Sequence, residues 1–218
     1  MKSRFIAVLA AGLVSASPAF ATNITIDFEG PTSFASIDQY YNGGTDQGGL
    51  LSGPNLGVSF GLDALELKND QLGPYFSNAP SPVGVMTPVG AAAVMNVLVG
   101  FGFNGEASFY YSSTAATSVS VFSGLDGTGT LLGSFSLANN AQANGCSDSP
   151  YCNWQFASIV LGPNDVARSI AFGDAANVAG FDNVTVNVVP EPGSLALLTL
   201  GLAGIGVLTR SGRLKVKG

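Results

Sequence analysis

Ile24-Thr25-Ile26-Asp27-Phe28 alternates apolar and polar side chains, which puts Ile24, Ile26 and Phe28 on one face of a strand. Val184-Thr185-Val186-Asn187-Val188 repeats the pattern near the other end of the chain. Between these two segments the same grammar recurs. Alternating or β-branched runs occupy residues 57–60, 92–99, 107–111, 118–122, 131–137, 155–161 and 169–172, and Gly, Asn, Asp and Pro interrupt them. Asp126-Gly127 falls between two of these runs and is a hairpin-turn signal. No amphipathic helical pattern exceeds two turns. Nine or so short strands predict an all-β fold, a jelly-roll-like β-sandwich. The first and last strands are expected to pair and bring the ends of the domain together.

The flanking segments read differently. Lys2 and Arg4 precede an apolar run over residues 5–14, and small residues follow as far as Ala19-Phe20-Ala21. This is the pattern of an N-terminal signal peptide, residues 1–21, with an A-x-A cleavage site before Thr22. It predicts handling by the Sec translocon and signal peptidase. At the other end stands Val189-Pro190-Glu191-Pro192-Gly193, stiff and non-helical because proline fixes its own φ and restricts its predecessor. An uncharged stretch over 194–209 follows, the length of a single transmembrane helix, and Arg210, Arg213, Lys215 and Lys217 then form a basic stop in the tail 210–218. Residues 22–188 remain as one exported domain.

The order of these C-terminal parts resembles the PEP-CTERM sorting tail of Gram-negative bacteria. The resemblance covers residues 189–217. It implies that a membrane-embedded exosortase-type protease recognises Val189, Pro190, Glu191 and Pro192. It further implies a transient inner-membrane intermediate and delivery to the cell surface or to an exopolysaccharide matrix. Here the basic residues are interspersed, where many such tails carry an unbroken arginine run. A plain single-span anchor is the alternative reading of the same segment.

Charge narrows the function classes. Of the eight basic residues only Lys68 and Arg168 fall in residues 22–188, against thirteen of the fourteen acids, so the domain carries −11 where the whole chain carries −6. Such a surface repels nucleic acid. The chain has no histidine, which removes Ser-His-Asp and Cys-His chemistry and histidine-ligated zinc. Gly57-Val58-Ser59-Phe60-Gly61 matches a nucleophile elbow, but it lacks a base and a following helix, so it reads as a glycine-flanked strand. Gly100-Phe101-Gly102-Phe103-Asn104-Gly105 matches a dinucleotide fingerprint, but strand-like residues follow, so it reads as a turn. The expectation is a non-enzyme. Cys146 and Cys152, the only cysteines, lie in a short polar loop, and export predicts a disulfide between them.

A second resemblance rests on Ile26-Asp27-Phe28-Glu29-Gly30, Val121–Leu132 and Gly180–Val186. These segments look like parts of galactose-binding-like jelly rolls, which recur in carbohydrate-binding domains. The resemblance implies a structural Ca²⁺ where the terminal strands meet, held by Asp27 or Glu29 and by Asp182. On the residues alone, Asp27 points outward by alternation and Asp182-Asn183 is a turn before the last strand. Sugar contacts call for exposed aromatics beside hydrogen-bonding groups, and Tyr40, Tyr41, Asn42 and Tyr75 are the candidates. The alternative puts Tyr40 and Tyr41 over a sheet edge, and Trp154 and Phe156 in the core beside the cysteines. The expected role is structural or adhesive within an exopolysaccharide matrix. A carbohydrate-binding module for that polysaccharide is the second reading.

Overall fold

The computed structural model describes residues 22–49, 51–69 and 75–189. The signal peptide with Ala19 and Ala21, and the tail from Pro190 through Arg210, Arg213, Lys215 and Lys217, lie outside the described residues. Among the described residues no helix is long and apolar enough to cross a membrane.

Among the described residues eleven strands follow in order: β1 Thr22–Ile26, β2 Val58–Phe60, β3 Ala64–Lys68, β4 Gly84–Pro88, β5 Val94–Val97, β6 Phe103–Ser113, β7 Thr117–Phe122, β8 Leu131–Leu137, β9 Gln155–Val160, β10 Ser169–Ala171 and β11 Ala179–Val188. They form two antiparallel sheets. One has the order β3-β4-β11-β6-β9 with β1 also on β11; the other has the order β2-β5-β10-β7-β8. The facing side chains form one core, in which Phe28, Phe103, Phe109, Phe172 and Phe181 are fully buried. Phe109 packs on Phe135 at 4.4 Å and edge-on to Phe181 at 5.2 Å between ring centroids.

The terminal strands pair as expected, from Thr22 opposite Val188 to Ile26 opposite Val184. β11 carries more than this. Along one side it pairs with β6; along the other it pairs first with β4 at Phe181–Met86 and then with β1 from Val184 onward. At the changeover Asn183 adopts a left-handed φ of 51°, and the register to β6 shifts between Asp182 and Thr185. Asp182-Asn183 is therefore a bulge within the strand, not a turn before it.

All nine expected strands are present, several with different bounds, and Gly57 and Gly61 flank β2. β6 begins at Phe103, so only the first part of 100–105 turns, with φ 61° at Gly100 and 114° at Gly102. Asp126 and Gly127 both take positive φ (55° and 67°), which matches their hairpin signal. β3 and β4 are additional strands. β3 puts Glu66 and Lys68 on the side expected for apolar residues and turns Leu65 and Leu67 outward. That reversal is possible because a second, small cluster covers the outer face there: Leu67, Phe76 and Val85, with Ala79, Tyr151 and Trp154 packed against it.

Candidate functional site

The outward side chains of β3 and β4 floor a cleft of about 320 Å³, lined by Phe34, Leu65, Leu67, Tyr75, Phe76, Thr87, Val89, Tyr151 and Asn177. Leu65 lies opposite Thr87, and Leu67 opposite Val85. Two aromatic rings stand open to solvent at the cleft: Phe34 is 64% exposed and Tyr75 44%. They meet edge-on at 6.4 Å between centroids. Phe34 is held there at backbone cost. Its φ is 62°, a left-handed conformation that bulky residues avoid, while its amide donates to Glu66 O at 2.8 Å. Polar groups are interleaved with the rings. Thr87 Oγ1 donates to Ala179 O, Tyr151 Oη to Asn177 O, and Asn177 Nδ2 to Val89 O.

The disulfide loop builds one side of this cleft. Cys146 and Cys152 are bonded, as their context predicts. Within the loop, Tyr151 bridges in parallel to Phe76: Tyr151 N donates to Tyr75 O and Ser77 N donates to Tyr151 O, each at 3.1 Å. Phe76 stacks on Tyr151 at 4.8 Å, and Trp154 Nε1 donates to Ser77 O at 2.8 Å. Trp154 is partly buried beside the disulfide. Phe156 is not a core residue: it is 51% exposed and packs edge-on to Tyr110. Beneath Phe76 lies Gly180 of β11. A Cβ there would come within 2.2 Å of the Phe76 ring, so only glycine lets the ring lie this close to the sheet.

The other expected ligand contacts do not join this site. Tyr40 and Tyr41 are 8% and 3% exposed and belong to the main core, where Tyr41 meets Phe28 and Phe60. The polar residues around them cap a buried aromatic pair; they do not advertise an open one. Asn42 is half-buried and its Nδ2 donates to Gln39 Oε1. Of the four candidates, Tyr75 alone lines the cleft. Phe34 was not anticipated, because nothing in Ser33-Phe34-Ala35 signals a left-handed backbone.

The carboxylates proposed for Ca²⁺ are bonded within the protein. Asp182 is fully buried; Oδ2 accepts from Ser81 N at 2.7 Å, and Oδ1 accepts from Ser81 Oγ at 2.6 Å and Asn183 N at 2.7 Å. Glu29 Oε1 accepts from the amides of Val83 and Gly84. Asp27 accepts from Glu29 N, and its carbonyl lies 2.9 Å from Ser81 Oγ. No group of three or more His, Cys, Asp or Glu residues converges on a metal position among the described residues.

A second buried acid lies near this junction. Glu66 is fully buried on the core side of β3 and accepts from Lys68 Nζ at 2.7 Å, while its Oε2 has no hydrogen-bond partner among the described residues. Burial pushes its carboxyl from the ordinary 4.5 up to about 7, against the opposing pull of Lys68. Burial likewise raises Asp182 to about 6, against the donors from Ser81 and Asn183. Asp46 goes the other way: burial would raise it, but amide donors from Thr32 and Gly49 hold it below its ordinary value.

A family profile described as the PEP-CTERM protein-sorting motif matches residues 188–213. The chain thus carries this sorting motif, which implies export through a membrane-anchored sorting intermediate, and the motif begins at the last residue of β11. No curated protein matches the chain. Solved structures that resemble it include a family 29 carbohydrate-binding module from Piromyces equi (TM-score 0.41, 11% identity, covering 78% of this chain and 92% of that one). The C-terminal family 6 carbohydrate-binding module of a marine laminarinase from Zobellia galactanivorans also resembles it (TM-score 0.35, 13% identity, 61% and 92% covered). At such identities and TM-scores no ligand or residue role is carried over.

The raised carboxyls fix the sign of a pH effect. A group whose pKa rises on folding favours the native state while protonated in it, so its contribution is present below the unfolded pKa and fades as pH rises through the folded one. Thermal melts should therefore show Tm falling from about pH 5 to pH 7.5, with Glu66 and Asp182 the principal contributors. Glu66→Gln should flatten that fall and melt above the parent at pH 8; an unchanged slope would remove Glu66 from the account.

Proposed function

We propose that the chain is an exported, non-catalytic surface protein, sorted by an exosortase-type system, whose β-sandwich binds carbohydrate through the Phe34–Tyr75 cleft. The observation that carries the sugar reading is the pair of solvent-open rings over an apolar floor, with Thr87, Tyr151 and Asn177 among them. Pyranose rings present an apolar face edged by hydroxyls. Rings of this kind cover that face, and side-chain oxygens and amides meet the hydroxyls. The sorting motif supports an extracellular setting in which such a ligand is at hand, and the exopolysaccharide matrix of a Gram-negative surface is the setting we favour. A structural or adhesive role follows from the same contact: a tethered protein that grips a matrix polysaccharide crosslinks it. Delivery by the Sec translocon, removal of residues 1–21 and a transmembrane segment over 194–209 belong to the same proposal.

A Ca²⁺ ion at the junction of β1 and β11 is a further part of it. What supports it is the gathering of Asp182 Oδ1, Asp27 O and Gly84 O within 2.6–3.2 Å of the single Ser81 hydroxyl, which has one proton for three oxygens. Hard oxygen donors of this kind suit Ca²⁺, with Glu29 the nearest further carboxylate in sequence.

Three outcomes test these readings. In affinity electrophoresis against soluble β-glucans, xylans, mannans and the host's own exopolysaccharide, the full chain should be retarded by at least one. Phe34→Ala and Tyr75→Ala should each weaken that retention about tenfold, roughly 1.4 kcal/mol, with Tm unchanged because both rings are exposed. Retention by no polysaccharide would end the sugar reading. Excess Ca²⁺ should raise Tm relative to EDTA; coincident melts would remove the ion. Mass spectrometry of the surface form should find a C-terminus near residues 189–192, and an intact chain to Gly218 would reduce the motif to an anchor.

A further inference from the structure

We infer that the Cys146–Cys152 loop is the positioning element of the cleft, so that the site is assembled only once the disulfide has closed. This rests on the cleft reading above and adds to it a redox condition.

Among the described residues, little else holds that side of the site. The main core is large and continuous, whereas among the described residues the cluster under the cleft buries Leu67, Phe76 and Val85 alone. Three side chains bury too little apolar surface to fix a loop by themselves. Tyr75 and Phe76 reach the fold through isolated bridges: Asn69–Phe76 on one side and Phe76–Tyr151 on the other. The second bridge depends on Tyr151, which immediately precedes Cys152. Apart from Tyr151 Oη to Asn177 O and Cys152 N to Ala141 O, the cross-links from the disulfide loop concentrate on the same short segment. Ser77 Oγ meets Ser149 Oγ at 2.8 Å, and Asn78 Nδ2 reaches Asp148 Oδ2 at 3.0 Å and Cys152 O at 3.3 Å. The loop between the cysteines has no regular element beyond the isolated bridge at Tyr151, and the short 3₁₀ turn Ala143–Gly145 that leads into it carries left-handed Asn144 and Gly145. Opening the bond frees this loop, and the tyrosine that supports Phe76 goes with it.

The two sulfurs differ in access. Cys152 is 3% exposed and Cys146 is partly exposed. A dithiol reductant would attack Cys146 Sγ, with Cys152 leaving as thiolate; its second thiol then closes the reductant's own ring and releases Cys146 as thiolate. A reducing compartment keeps thiols open and an oxidising one closes them, so the binding site would be absent before export and present after it.

The test reads the site without needing its ligand. The chain has a single tryptophan, Trp154, beside Phe76 and Tyr151. Treating the full chain with dithiothreitol should increase acrylamide quenching of Trp154 and speed hydrogen exchange at the Ser77 and Tyr151 amides at least about tenfold. Exchange at Phe181 and Tyr111 of the main sheet should stay unchanged. The Cys146→Ser/Cys152→Ser double variant should reproduce this without reductant. Unchanged quenching and exchange would overturn the inference. So would loss of protection throughout the sandwich, which would make the disulfide a general staple. Where a polysaccharide is retained, reduction should lower its retention to the level of Tyr75→Ala. If none is retained, the carbohydrate reading fails, while the tryptophan and exchange readouts still decide the role of the loop.

Discussion

The structure turns on the place where β11 changes partners. A strand hydrogen-bonded on one side by β4 and then by β1 must pass a point at which neither neighbour is available. Backbone groups stranded there, away from water, would cost about as much as broken hydrogen bonds. The buried carboxylate of Asp182 resolves this. It accepts from Ser81 N, Ser81 Oγ and its own neighbour Asn183 N, so one side chain satisfies the gap between two strand ends. The bulge at Asn183 lets the strand turn its remaining residues toward β1. Glu29 does the corresponding work for Val83 and Gly84 on the other side of the gap. The cost is electrostatic and falls on Asp182, an acid placed for its oxygens in surroundings that resist its charge.

From that junction the cleft follows. β4 leaves it toward β3, and β3 is built back to front, with Glu66 inward and Leu65 and Leu67 outward. Those leucines give the outer face of the sheet an apolar floor. The segment carrying Tyr75 and Phe76 covers part of it, and Gly180 lets Phe76 sink onto β11. The rest of the floor stays open between Phe34 and the disulfide loop. Phe34 is the exception to local preference in this region: a large ring on a left-handed backbone, turned to water. Such conformations persist only where the surroundings over-determine them, and they concentrate at binding sites.

Much of this was legible in the sequence, and the failures have physical reasons. Alternation marked the strands with one wet face, β1 and the C-terminal half of β11 most clearly. It could not mark β3, whose charged residues point inward, or β4, which is covered on both faces and bounded by Gly84 and Pro88. The polar run around Tyr40 and Tyr41 suggested an open loop because composition reports a segment's average, and here two buried rings sit inside a polar wrapping. The disulfide was readable because two cysteines and an export signal leave few alternatives. Tyr75 was readable as an aromatic in a polar stretch. Phe34 and the pairing of Phe76 with Tyr151 were not, since both depend on contacts between segments distant in sequence.

The ladder between β1 and β11 runs to Val188, and the sorting motif starts at that residue. The last rungs of β11 are thus gripped on both flanks, by β1 and by β6. A pull along the β11 axis from Val189 would load all those rungs in shear at once, where a pull across the sheet would peel them one at a time.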